Sequence, residues 1–239
     1  MNRLLAHSAL FVLLVAIGFA GSPLLMAQEQ PTAPAQESMT AEEFTNYLKT
    51  IWSFLKAETE QYQTAVGTKS EFETTAEFEQ RTVERRRQYL ANITKYSQDQ
   101  KIKGRNIVVY FKAILDSYDA DKKIYSLRSA TMIDAPYNIP TVRCTVPRNP
   151  FVALADSVRV GYRTSVLHLT IEPHFQWQVS RDIAQAAKQN EGSIFFELSL
   201  VVDIESNDGK SEAKLQIIPK QFSLVNKETN QVYLSRKVL

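Results

Sequence analysis

From Thr40 onward the hydrophobic pattern of the chain falls into two regimes. Between Phe44 and Tyr62 the apolar residues Phe44, Tyr47, Leu48, Ile51, Leu55 and Tyr62 recur at helical intervals, which lines one face of an α-helix. Thr40 with Glu43 three positions on has capping-box spacing and Gly67 is a stop signal, so a helix is expected over 41–65. Thr74 and Glu77 repeat the start signal, and Phe78, Arg85, Tyr89, Ile93 and Tyr96 trace one face of a second helix to about 97.

Beyond Asn106 the period shortens to two and turn residues punctuate it. Ile107 to Leu115 reads as a strand, Tyr118 to Asp121 as a turn and Lys123 to Met132 as the hairpin partner. Pro136, Pro140, Pro147 and Pro150 deny ladder donors and leave room only for an edge strand around Val142 to Val146. Strand character returns over Val158 to Glu172, and Ser180 opens a short helix over Arg181 to Gln189. Ser193 to Ile204 is the longest strand, joined through Asn207-Asp208-Gly209-Lys210 to Ala213–Ile218. A last hairpin pairs Phe222–Val225 with Val232–Val238. Consecutive hairpins with helices gathered at one end point to an α+β fold: an N-terminal helical hairpin packed on a twisted antiparallel sheet, or on a small β-sandwich, with one short inserted helix.

The first residues carry a different message. Met1-Asn2-Arg3 is a short basic start, Leu4 to Ala20 is almost wholly apolar, and small residues follow at Gly18, Ala20 and Ala27, the layout of a secretory signal peptide. The apolar run is shorter than the roughly 20 residues a spanning helix needs, so cleavage is expected, after Ala27 in preference to Ala20, with an uncleaved membrane anchor as the alternative. Residues 28–39 are rich in Gln, Pro, Ala and Thr and read as a flexible linker. The expected organisation is therefore signal peptide 1–27, linker 28–39, helical hairpin 40–104 and β-rich domain 105–239, exported to a periplasmic or secreted location, with no span left after cleavage.

Charge refines this picture locally. The chain has 28 Lys and Arg against 26 Asp and Glu, a balance that gives no global argument for nucleic acid as a partner. Within the helical half, nine acids face three lysines from Glu37 to Glu79, whereas eight bases face two acids from Arg81 to Arg105. Antiparallel pairing would bring these blocks together, and Glu77 and Arg81 have the spacing of a helical ion pair. Cys144 is the only cysteine, which excludes an intramolecular disulfide.

Candidate chemistry is sparse. His168, Thr170, Glu172 and His174 alternate along one strand, but the two histidines would lie roughly 20 Å apart, and no metal site follows. Cys144 sits in an apolar strand context that suits packing better than nucleophilic catalysis. No Gly-x-Ser-x-Gly, phosphate loop or His-Glu-x-x-His is present, so no catalytic, metal or cofactor-binding residue is assigned and no cofactor is expected. Arg85 and Arg86 on the second helix, and Trp177 after Pro173, are the candidate partner-binding residues.

Glu71-Phe72-Glu73-Thr74-Thr75-Ala76-Glu77-Phe78 followed by Arg81 resembles an acidic-Phe-Glu-Thr-Thr-x-Glu-aromatic-x-x-Arg element of uncharacterised exported bacterial proteins. That resemblance covers about 11 of 239 residues and implies an envelope setting and no activity. Physically, the element reads as a helix start in which Phe72 staples against the helix body and Glu77 reaches back to Thr74. The expected function is a non-enzymatic exported module that binds a protein or cell-envelope glycan through its sheet face or a strand edge. Its rivals are an envelope hydrolase using carboxylates such as Glu172, Asp182 and Glu197, and a structural subunit of an envelope assembly.

Overall fold

Two threonines each start a helix, and the same two hydrogen bonds close each start. The Thr40 amide donates to Glu43 Oε2 at 2.7 Å while the Glu43 amide donates to Thr40 Oγ1 at 3.2 Å. Thr74 and Glu77 make the equivalent pair at 2.8 and 3.2 Å. In the computed structural model, which describes residues 37–130, 133–135, 142–158, 165–171, 175–206 and 213–238, these starts open α1 (Ala41–Val66) and α2 (Thr75–Asp99). Gly67 ends α1 at φ +53°, a left-handed backbone that favours glycine.

The other elements are β1 (Glu37–Thr40), β2 (Asn106–Asp119), β3 (Ile124–Ser129), β4 (Ile133–Ala135), β5 (Val142–Thr145), β6 (Val152–Val158), β7 (Ser165–Ile171), β8 (Phe175–Gln178), α3 (Arg181–Gln189), β9 (Ile194–Ser206), β10 (Ala213–Asn226) and β11 (Gln231–Lys237). The fold is mixed α and β and mostly strand. One curled eight-stranded sheet runs β11-β10-β9-β2-β3-β8, with β1 paired to β2 and β5 to β10. A separate three-stranded sheet runs β4-β7-β6. The described residues fall within one compact unit, 34–239.

Alternation along β9 sets the core. Ile194, Phe196, Leu198, Leu200 and Val202 have no exposed surface, and their neighbours Ile107, Val109 and Phe111 on β2 and Leu215, Ile217, Phe222 and Leu224 on β10 are equally buried. Truncating such a side chain costs about 2–5 kcal/mol. On β10 the completely buried apolar positions change from odd numbers (Ala213, Leu215, Ile217) to even ones (Phe222, Leu224), which a regular strand cannot do. A register shift between Pro219 and Gln221 supplies the extra residue, and it is also where a proline without an N–H is tolerated. The segments expected as two strands, 213–218 and 222–225, are thereby one continuous β10.

A second irregularity bends β2 between Leu115 and Ser117. Its backbone is satisfied from α3 and the turn after it: the Leu115 amide donates to Glu191 Oε1 at 2.9 Å, and Lys188 Nζ donates to the Leu115 carbonyl at 3.1 Å. Ser180 precedes α3 as expected, without a side-chain cap bond.

Strand positions differ from expectation in several places, β4 and β8 among them. Glu37–Met39, read as linker, form β1, a parallel neighbour of β2, and Arg105 Nε fastens it by donating to Glu37 Oε2 at 2.7 Å. Of the strand expected over 158–172 the described part is Val158 and β7, and β7 pairs antiparallel with β6, a strand over Val152–Val158 that was not expected. The edge strand expected near Val142 lies parallel to β10, so pairing is not antiparallel throughout. The signal segment 1–27, the linker up to residue 36, the turn at 207–210, Glu172 and His174 lie outside the described residues. No helix among the described residues is long and apolar enough to cross a membrane.

Contacts between α1 and α2 pair rising numbers on one with falling numbers on the other. Phe54 stacks on Tyr96 at 3.7 Å, Asn92 donates to Glu58 at 2.9 Å, and Tyr62 stacks on Tyr89 at 4.9 Å. Ion pairs such as Lys56–Glu60 and Lys95–Asp99 form within single helices, so aromatic packing carries much of this contact. The ion pair expected between Glu77 and Arg81 is replaced. Glu77 is committed to the Thr74 cap, and Arg81 instead clasps Glu73 through two bonds of 2.9 Å. The same guanidinium donates to the carbonyls of Ala65, Val66 and Thr68, which close α1. α1 has no basic residue in its last turn, so a cation from α2 satisfies those carbonyls instead. Phe72 is not stapled: it is 90% exposed.

The Arg81 hydrogen bonds, aided by the Ser70 amide, hold the Glu73 carboxyl below its ordinary value of 4.5. A depressed carboxyl stabilises the fold above its unfolded value and loses that contribution as pH falls through the folded one. Arg81→Ala is therefore expected to lower the melting temperature by a few degrees near pH 7, with a gap from wild type that narrows as pH falls below the ordinary carboxyl range and keeps the share due to the α1 carbonyls. Calorimetry across that range measures it.

Candidate functional site

The residues singled out from sequence do not converge. Trp177 is 4% exposed, held between Tyr125 and Tyr233 at 6.4 and 5.2 Å between ring centroids. It is a core residue and offers no platform to a partner. Its place on β8, antiparallel to β3, turns its side chain inward. Arg85 is exposed and lines a depression of about 140 Å³ between α1 and α2, shared with Glu58, Gln61, Tyr62, Tyr89 and Asn92. Arg86 is half-buried on the same helix and does not line that depression. The two arginines therefore do not make one patch.

The two described carboxylates of the hydrolase reading stand on different elements. Asp182 is exposed in the first turn of α3, whereas Glu197 stands on β9. His168 lies on β7 opposite Asp134 and Ala155. Among the described residues no cluster of three metal-ligating side chains occurs.

The richest grouping of polar and aromatic side chains is on the face of the large sheet opposite its buried rows. Phe195, Glu197 and Ser199 alternate with the buried residues of β9 and are half-buried. Register places Lys112, Phe195 and Val225 in one row across β2, β9 and β10, and Tyr110, Glu197, Ser223 and Ser235 in the next, which extends to β11; on β10 the row is covered, with Ser223 2% and Val225 7% exposed. Tyr110 and Phe195 meet edge to face at 6.5 Å. Lys227 Nζ sits 3.8 Å from the Tyr110 ring centre and 5.5 Å from that of Phe195, and Lys112 Nζ lies 4.9 Å from Phe195. Such contacts are worth about 0.5–1 kcal/mol each at exposed sites, weak enough for the exposed Lys227 to swing aside.

Polar groups continue this face. Gln221 Nε2 donates to Ser235 Oγ at 2.9 Å, and Ser223 and Ser235 share a hydrogen bond at 3.2 Å. Burial first, and then the neighbouring Glu197 carboxylate, push the Tyr110 phenol above its ordinary value, so it keeps its proton and remains a donor at neutral pH. Burial likewise pushes the Lys112 ammonium below its ordinary value. Two rings, a carboxylate, a phenol, hydroxyls, a carboxamide and a movable ammonium are thus set on a rigid sheet. The arrangement can stack against an apolar face of a ligand while donating to and accepting from its hydroxyls. Sequence reading missed this face, although its signal is present: in Phe195-Phe196-Glu197-Leu198-Ser199 the strand alternation leaves an aromatic on the non-core side.

Cys144 is 5% exposed on β5, and burial pushes its thiol up to about 12. The nucleophilic thiolate is suppressed accordingly. Iodoacetamide at about pH 8 is expected to leave the native chain unmodified and to add one adduct per chain only after denaturation, as read by intact mass. Comparison with known families, with curated proteins and with solved structures finds no match to this chain.

Proposed function

We propose that the chain is an exported, non-enzymatic module that binds a cell-envelope glycan through the outward face of its large sheet. In this reading the helical hairpin of α1 and α2 backs the opposite face of the sheet. The buried residues of both helices share one apolar cluster with the inward rows of β2, β9 and β10, which supports that arrangement.

The observation that carries the proposal is the row built from Tyr110, Glu197 and Ser235, with the buried Ser223 hydrogen-bonded to Ser235 beneath it, beside the ring pair Tyr110 and Phe195. A sugar ring presents an apolar face of C–H groups and an equatorial rim of hydroxyls. The tyrosine and phenylalanine rings suit the first, and the carboxylate, hydroxyl and carboxamide groups suit the second. Because these groups sit on paired strands, little conformational entropy is lost when a ligand docks. Lys227 at the border favours sugars that carry a carboxylate.

A panel of immobilised envelope oligosaccharides followed by titration calorimetry provides the test. The full chain is expected to retain at least one acid-bearing saccharide, and Phe195→Ala or Tyr110→Ala is expected to weaken it about tenfold or more. Retention of no saccharide, or equal affinity in both variants, would end this reading.

A further inference from the structure

The half of the helical pair farthest from the sheet has no buried residue. On α2 the stretch 75–88 is exposed or half-buried throughout, about 21 Å of helix at 1.5 Å per residue. Opposite it, α1 has no buried residue after Thr59. The loop joining the two helices carries Phe72 at 90% exposure, the most exposed large apolar side chain among the described residues.

This loop is tightly bound. Arg81 ties Glu73 to the last carbonyls of α1, Lys69 Nζ donates to Thr75 Oγ1 at 3.0 Å, and the Phe72 amide donates to Ser70 Oγ at 3.3 Å. The Glu73 amide donates to the Ser70 carbonyl at 3.2 Å and Thr74 caps α2. The bonds fix the backbone on both sides of Phe72 and leave its ring in water. A single exposed apolar residue is ordinary; an aromatic side chain carried on a hydrogen-bonded loop at the end of a polar helical arm has the form of a binding anchor, because the backbone part of its ordering cost is already met by the fold.

The surroundings define what it fits. Glu71, Glu77 and Glu79 are exposed near the ring in sequence, with Glu73 beside them, and only Lys69 and Arg81 oppose them, Arg81 being spent on Glu73. Acids at this density oppose an anionic lipid surface. We propose that Phe72 is the anchor of a docking site for a protein partner, inserting into an apolar pocket rimmed by lysine or arginine. The site is separate from the sheet face and stands whether or not that face binds glycan.

The test places a photoreactive benzoylphenylalanine at position 72 of the full chain in the cells that make it, with position 83 as control, since Val83 is 66% exposed on the same arm. Irradiation is expected to yield one discrete protein adduct from position 72 and none of that mass from position 83. The cross-linked protein, identified and purified, is then titrated with wild type, Phe72→Ala and Glu71→Lys. The proposal expects Phe72→Ala to raise Kd about tenfold or more while melting with wild type, and Glu71→Lys to raise Kd with a loss that added salt removes. A missing adduct, adducts only to lipid or to a second copy of this chain, an unchanged Kd, or a lowered melting temperature for Phe72→Ala each overturns it.

Discussion

Five alternate residues of β9, from Ile194 to Val202, are completely shut off from water, and the architecture follows from keeping that row unbroken. The strand is paired on both edges, to β2 and to β10, so its neighbours must present apolar residues at matching positions. Where their sequences fall out of phase, the backbone adjusts. The register shift at Pro219/Gln221 restores the match to β9 at the expense of a regular ladder, and a second, at Leu115/Ser117, falls past β9 where β2 pairs with β3. The second leaves Leu115 to be satisfied by Glu191 and Lys188, which couples α3 to the bend in β2. Burial dictates phase, phase dictates bulges, and bulges create the sites where side chains from elsewhere must dock.

Because one face is consumed by the core, every group available for recognition on the central strands lies on the other. Tyr110, Phe195 and Glu197 are outward for the same reason that Val109, Phe196 and Leu198 are inward: successive side chains of a strand point to opposite faces. The helical arm has a different basis. Past Thr59 and before Tyr89 it lacks buried surface and is held instead by stacked tyrosines and the Arg81 clasp. Two arginines thus close the N-terminal part of the described chain. Arg105 joins β1 to the start of β2 and lies 5.2 Å over the Tyr47 ring of α1, and Arg81 joins the end of α1 to the start of α2.

Much of the secondary structure was legible in the residues. The threonine caps of α1 and α2, the Gly67 stop and the limits of α3 rest on interactions within about four residues, and such local signals survive in any tertiary setting. Other readings failed where a distant partner decided the outcome. Glu37-Ser38-Met39 has no strand pattern, yet it pairs with β2 and is fastened by Arg105, 68 positions away. Glu77 and Arg81 had ion-pair spacing, but the cap claimed one and the carbonyls of α1 the other. Trp177 followed a proline and suggested a loop platform, whereas pairing of β8 with β3 buried it.

The sequence alone determined where helices begin and end, which strand residues alternate and that no disulfide could contribute, since each is written in neighbouring residues or in composition. Tertiary structure decided the order of strands, the parallel placement of β1 and β5, the union of two short segments into β10, and which aromatic residues meet water. These depend on contacts between residues far apart in the chain, and an apolar side chain carries no local mark of whether another element will cover it. Phe72 and Trp177 make the contrast plain: both are large aromatics beside helix or strand ends, and only the packing of the rest of the molecule leaves one 90% exposed and the other 4%.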